Sequence, residues 1–425
     1  MQQSRTHAFG AIDVFRLIAA VLVVTIHTSP LITYSDTADF LLTRVLARVA
    51  VPFFLMTTGF FTLGRTPVQK ARVAVIRFYR RTLVLYAVAM GLYLPLNVYN
   101  GTFLQPHFWP NLLKDLFLDG TFYHLWYLPA SLIGVAIVQL LQRCRRNGVG
   151  WAVVLALYVV GLLGDSYYGA IAQSSVLKTA YEGMFTVFDY TRNGLFYAPA
   201  FVWMGAWLRR HPLRLSRRAC GIALSVCLLA MCGEALSLRA YGWQRHDSMY
   251  LLLLPVMLCL FSLLLRSRCQ APYALRELAL AVYLIHPWMI VCVRGAAKVL
   301  GLTALLIDNS VGHFVAVTLS SLLFAGLYAW CADGVKRTRQ SAGEPVLQQP
   351  AQTAPEPPTS PLMREAVQPS QPALPIDPAQ GNVLQREGKA QDAPQEQAVQ
   401  TQPAQRARTY PPRSSRRKET KQHRG

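Results

Sequence analysis

AIDVFRLIAAVLVVTIHTSP, residues 11–30, is apolar for long enough to cross a bilayer as a helix, yet it holds Arg16 and His27, with Asp13 just ahead of them. An ionisable side chain in a hydrocarbon layer is costly, so such groups face a protein interior or a wet cavity and mark function. A helix turns about 100° and rises about 1.5 Å per residue, so the eleven steps from Arg16 to His27 leave them about 20° apart around the axis and about 16 Å apart along it. The two line one face at two depths. The plainer alternative is that Asp13 and Arg16, three residues apart, neutralise each other on the helix, and that His27 is a hydrogen-bonded interior histidine.

Working outward, 53% of the 425 residues are hydrophobic and 15% charged, with a mean hydropathy of +0.27. That balance belongs to a polytopic membrane protein. Apolar runs at 9–30, 45–63, 76–97, 122–142, 149–164, 192–208, 219–238, 249–265, 274–293 and 310–332 are candidate spans, each satisfying its own backbone hydrogen bonds as a helix. The expected fold is an all-α integral membrane protein, a bundle of about ten transmembrane helices over residues 1–340. From 341 to 425 the chain is rich in Pro, Gln, Ala and Ser and lacks apolar periodicity, the composition of a disordered tail. Its end, residues 406–418, is basic and suited to anionic lipid or an acidic partner; a solvated tail without a fixed partner is the plainer reading.

Loop charge sets the orientation, because Lys and Arg collect on the cytoplasmic side. Every even-numbered exit is basic: Arg65, Lys70, Arg72, Arg77, Arg80 and Arg81 follow the second span, and Arg209, Arg210, Arg214, Arg217 and Arg218 the sixth. Odd-numbered exits are acidic or mixed, as with Asp36 and Asp39, or Lys114 with Asp115 and Asp119. Both termini are therefore expected in the cytoplasm of a bacterial inner membrane. The net charge of +21 is spread over these rims and is accounted for by topology and lipid headgroups, so nucleic acid is not an expected partner. The eight cysteines show no metal-ligand spacing and no extracytoplasmic disulfide framework, and no metal is expected. The first span lacks a small-residue cleavage site and is expected to be retained.

Within this frame, His27 is the group in the first span able to accept a proton near neutral pH. Arg16 stays protonated and is suited to orient an anionic donor or steady developing negative charge. RFYRR (77–81) puts Arg77, Arg80 and Arg81 at the cytoplasmic entry to the third span, where guanidiniums bind phosphate well; ordinary topological anchoring competes on equal terms. At the far side, DGTFYHLWYLP (119–129) and TRNGLF (191–196) offer His124, Trp126, Arg192 and Asn193 to a polar acceptor, against the common role of aromatics as an interfacial belt. Glu234 and His286, in the seventh and ninth spans, are further polar groups that are as readily structural as substrate-binding. Pro287, directly after His286, predicts a kink with freed carbonyls.

Taken in order, IDVFR (12–16), Arg16 and His27 with ten residues between them, VAVPFFLMTTGFF (49–61), HLWYLP (124–129) and YLIHP (283–287) resemble the membrane-bound acyltransferase family 3, from about Ile12 to Trp330. Within that family the chain is most similar to the membrane part of the vancomycin-resistance serine racemases. Where those proteins carry a pyridoxal-phosphate racemase domain this chain has its tail, so racemisation is not expected. The resemblance implies a ten-helix bundle, acyl-CoA (acetyl-CoA most simply) as cytoplasmic donor, and a hydroxyl acceptor such as an envelope glycan. It makes His27 and Arg16 the catalytic pair and the 77–81 arginines donor-binding. Transfer is expected to be direct, since no cysteine or serine is evidently paired with a base. A permease or exporter of a small polar solute such as serine is the rival reading, although no inverted repeat is evident. A scaffold that recruits partners through its basic tail leaves His27 unexplained.

Overall fold

The computed structural model describes residues 9–65, 68–104, 108–144, 147–272 and 274–341; the disordered, basic tail read for residues 342–425 lies outside them. The described residues are mainly helical and form no strand. Ten helices carry the apolar runs: α1 (Gly10–Thr28), α2 (Asp36–Thr62), α3 (Val68–Tyr99), α4 (Tyr127–Cys144), α5 (Asn147–Leu163), α6 (Ala198–Arg210), α7 (Arg217–Ala240), α8 (Leu253–Leu265), α9 (Ala274–Val299) and α10 (Ser310–Ser341). Among the described residues, α1 to α4, α7, α9 and α10 are long and apolar enough to cross a membrane. The chain is a multi-pass, all-α membrane protein.

The expected bundle of about ten helices is present among the described residues, with α5, α6 and α8 the short members at 17, 13 and 13 residues. Local chemistry shortens α4 and α6. Gly120 adopts φ +83°, and a Cβ there would lie 2.4 Å from the Trp126 nitrogen, so 120–126 folds back as a turn instead of continuing α4. Before α6, the Asn193 side chain accepts from the Leu195 and Phe196 N–H groups at 2.9 and 3.0 Å, and Pro199 sits in the first helical turn, where its missing N–H costs nothing. The shortness of α6 is tolerable because residues 198–206 are all buried: protein, not lipid, surrounds it.

At the other extreme, α3, α7 and α10 bury only 22%, 17% and 22% of their apolar windows. Their exposed Leu, Val and Ile side chains are what a lipid-facing helix presents. Against α6, α2 packs backbone to backbone: a Cβ on Gly59 would lie 2.0 Å from the Val202 oxygen, and one on Gly205 2.0 Å from the Met56 oxygen. Small residues at such crossings are the usual means of close helix association in membranes. Gly59→Val is expected to destabilise the protein by about 1–3 kcal/mol through overpacking, seen as a lower unfolding temperature in detergent.

Two helix irregularities shape the site. Ahead of Pro52, which has no N–H to donate, α2 widens into a π-turn over Phe40–Val45 and tightens into a 3-10 turn over Leu46–Val49, aiming Arg44 and Arg48 at Asp247, 3.5 and 3.0 Å away. Such turns recur at functional sites. In α9, Pro287 leaves the Tyr283 carbonyl without its helical donor, and the His286 Nδ1 sits 2.9 Å from that oxygen. α1 ends at Ser29, in the left-handed region with φ 47°, and is followed by Pro30, whose carbonyl accepts from the Ser310 hydroxyl at 2.7 Å. α1 and α9 run parallel, since Arg276 meets Asp13 near both starts and His286 stacks on His27 farther along.

Candidate active site

At its Arg16 end, α1 borders a cavity of about 160 Å³ lined by Arg16, Thr57, Thr58, Phe61, Arg65 and Arg276. Asp13, 1% exposed, forms an ion pair with Arg16 and accepts from Arg276 at 3.3 Å. The neutralising pair read from the sequence therefore exists, but one carboxylate is shared between two guanidiniums. Arg16 also lies over the Phe61 ring at 5.7 Å, and the Arg65 Nε donates to the Phe61 carbonyl at 2.6 Å. Burial, then the neighbouring Arg77, lowers the Arg65 pKa, as expected where cations converge. The arrangement suits an anionic group. The volume falls below the roughly 300–1,000 Å³ of drug-sized pockets, so there is room for no more than one end of a long ligand.

The 77–81 cluster does not line this cavity. Arg80 and Arg81 are exposed on α3, and Arg77 is half-buried near Arg65. Dense charge in the sequence marked the rim, whereas the cavity takes its cations from α1, the end of α2 and the start of α9.

At the other end of α1, half-buried His27 stacks on His286 with ring centroids 5.4 Å apart and lies 4.7 Å from the Tyr123 ring. His124 completes a group of three imidazoles, 5.3 Å from His286. A hydrogen bond from Nδ1 to the Tyr283 carbonyl makes that nitrogen the protonated one and leaves the lone pair on Nε2. Among the described residues the His286 Nε2 and both His124 nitrogens are buried without a hydrogen-bond partner, which is uncommon for polar atoms. Tyr283 fixes the loop beneath, donating to the His124 carbonyl at 2.8 Å. The Arg16 cavity does not reach His27. A ring chain, Phe54–Tyr127–Tyr283–His286, with centroids 6.1, 6.1 and 6.5 Å apart, runs from α2 to the imidazoles.

Beside His27, a narrow cavity of about 20 Å³ is lined by Ile26, Arg48, Trp126, Arg192, Tyr197 and Ser248, among others. Arg192 lies over Trp126 at 4.9 Å and Tyr190 at 4.2 Å. Asn193 is a cap: besides accepting from Leu195 and Phe196, it donates to the Tyr190 carbonyl at 2.9 Å, which presents Arg192. Glu234 is also structural, accepting from Leu251 N–H at 2.6 Å, Leu252 N–H at 3.0 Å and the Tyr167 hydroxyl at 2.8 Å. Glu234→Ala is expected to cost about 1 kcal/mol of stability by removing three hydrogen bonds to exposed and half-buried donors, measured by unfolding in detergent. The structure thus places His124 and His286 with His27, and Trp126 and Arg192 together next door. Arg48 and Arg276 are additions. Arg48 had a sequence signal, a cation inside the 45–63 run; Arg276 read as an ordinary rim charge. Among the described residues no group of three His, Cys, Asp or Glu side chains is placed to hold a metal.

The family model described as Acyltransferase domain matches residues 9–330, the stretch that contains all ten helix starts. Similar curated proteins include an amino-acid racemase of Enterococcus faecalis, 42% identical over 324 residues, covering 76% of this chain and 45% of that protein. A second amino-acid racemase of Enterococcus faecalis is 37% identical, covering 76% and 46%, and a serine/alanine racemase of Enterococcus gallinarum is 32% identical, covering 75% and 45%. The chain spans less than half the length of these relatives. No solved structure matches it. With guanidiniums at one end of α1, imidazoles at the other, and a family match that takes in both, the chain belongs to the acyltransferase domain family.

Proposed function

We propose that the protein is an inner-membrane O-acyltransferase that moves an acyl group, acetyl most simply, from cytoplasmic acyl-CoA to a hydroxyl of an extracytoplasmic acceptor such as an envelope glycan. The observation that carries this reading is the division of α1: a cationic cavity at Arg16 and an imidazole cluster at His27, matched on parallel α9 by Arg276 and His286. The distribution of Lys and Arg supports a cytoplasmic Arg16 end. Arg16, Arg65 and Arg276 would hold phosphate or the thioester end of the donor, and the pantetheine arm would pass Tyr127 and Tyr283 toward His27. There the imidazole accepts the acceptor's hydroxyl proton as its oxygen attacks the thioester carbonyl. The tetrahedral intermediate collapses, the carbon–sulfur bond breaks, and the CoA thiolate takes the proton back from the imidazolium. No metal enters this scheme. Holding donor and acceptor together at His27 would supply much of the rate.

Arg65→Gln and Arg276→Gln are each expected to raise the KM for acetyl-CoA about tenfold, the worth of one charge-assisted hydrogen bond, whereas Arg80→Gln and Arg81→Gln stay within about twofold. Steady-state kinetics in proteoliposomes check this; the reverse ranking returns donor binding to α3.

The names of the racemase relatives favour a second reading, in which the same polar path carries serine across the membrane without acylating it. Labelled serine and labelled acetyl-CoA supplied to the same proteoliposomes separate the two. Serine uptake with no ester formed supports the permease.

A further inference from the structure

The second cavity beside His27 has more positive charge than its surroundings neutralise. No carboxylate among the described residues pairs with Arg192; its guanidinium is flanked by the Trp126 and Tyr190 rings at 4.9 and 4.2 Å. Arg48, its neighbour on the cavity wall, shares Asp247 with Arg44, and its buried Nε has no hydrogen-bond partner among the described residues. Asp165 accepts through one oxygen from Ser248 N–H at 2.7 Å, Met249 N–H at 2.9 Å and the Ser166 hydroxyl at 3.0 Å, and its charge also acts on Arg192 and Arg48, so the guanidiniums of Arg44, Arg48 and Arg192 face two carboxylates, Asp165 and Asp247. His246, whose ring lies 4.5 Å from Tyr190, is pushed down to about 4 by burial and then by Arg192 and Arg245, so at neutral pH it neither adds nor removes charge.

We infer that the acceptor is an acid: a carboxylate on the hydroxyl-bearing substrate docks on Arg192, assisted by Arg48, and so presents its hydroxyl to His27. This rests on the acyl-transfer reading of His27 and names the acceptor class for it. Three features select a carboxylate. The Arg192 guanidinium, beside two rings and hydrogen-bonded to the Tyr190 side chain, has five N–H groups in all and so retains donors for a planar, two-oxygen partner. The cavity, at about 20 Å³, has room for about one water, hence for the oxygen edge of a carboxylate and not for a bulky head. A neutral acceptor would leave an enclosed cation uncompensated, which is costly. The site also adjoins the base, because Ile26 lines the cavity and the 120–126 turn touches His27 through Tyr123 and Arg192 through Trp126.

The shared chemistry, a carboxylate with a hydroxyl, occurs in sugar acids and in amino acids, so both are tested. Binding of glucuronate against glucuronamide, and of serine against serinamide, is measured by calorimetry on the full chain in detergent, without donor. The wild type should prefer at least one acid over its amide by tenfold or more. Arg192→Gln should bring that ratio to within twofold of one, Arg192→Lys should keep part of it, and His27→Ala should retain it. Glucuronate preference assigns a sugar acid, serine preference an amino acid. Equal binding of acid and amide in both pairs, or an acid preference that survives in Arg192→Gln, overturns the inference. Should Arg192→Gln fail to fold, Arg48→Gln is required to lower the ratio at least threefold, and an unchanged ratio overturns it. Acid preference in a wild type that transfers no acyl group supports the anion site while removing the acyltransferase reading.

Discussion

His27→Ala is expected to lower the rate of acyl transfer by about 10²–10⁴-fold, the range for loss of a positioned general base. His27 is half-buried at the end of α1, stacked on His286 and beside Tyr123, so truncation leaves the packing of α2 against α6 untouched. The unfolding temperature in detergent should therefore change little while transfer collapses, and binding of acetyl-CoA at the opposite end of α1 should persist. A variant that keeps a tenth or more of the wild-type rate would exclude His27 as the base. The two other imidazoles then become the candidates, His286 first, because its hydrogen bond to Tyr283 leaves the Nε2 lone pair available.

Arg16→Lys should reduce kcat/KM for acetyl-CoA by about 10–100-fold, equivalent to the 1.5–3 kcal/mol of a hydrogen bond to a charged group. Lysine preserves the charge and can still pair with Asp13. It cannot hold Asp13 and an anionic donor at once through a planar fork, nor lie flat over Phe61 as Arg16 does. Retention of binding to the acceptor, with the loss confined to the donor, is part of the expectation. Wild-type kinetics would show that the cavity is a charge sink and not a donor site.

The fold was legible because hydrophobic run length and loop charge are properties of short segments. What sequence misjudged was where a helix begins: the aromatic and leucine residues in 122–126 and 192–197 run on into the helices they precede, and the Gly120 turn and the Asn193 cap withdraw them. The Arg16–His27 face was legible because intramembrane charge is rare and helix geometry is rigid. The partners of that face were not. Arg276 and His286 lie some 260 residues downstream, and only the parallel packing of α1 and α9 makes them neighbours. The three-imidazole cluster had one local signal, Pro287, whose freed carbonyl fixes the tautomer of His286. Arginine density pointed to 77–81, yet a cavity selects cations by approach from several helices and not by crowding on one.

The central claim, transfer of an acyl group across the thickness of the membrane, is tested most directly with inverted membrane vesicles holding envelope extract in their lumen. Labelled acetyl-CoA is added outside. The account predicts ester-linked label on lumenal acceptor in wild-type vesicles, and none with His27→Ala. Label appearing only on outside acceptor, or reaching lumenal acceptor equally in the His27→Ala vesicles, contradicts it.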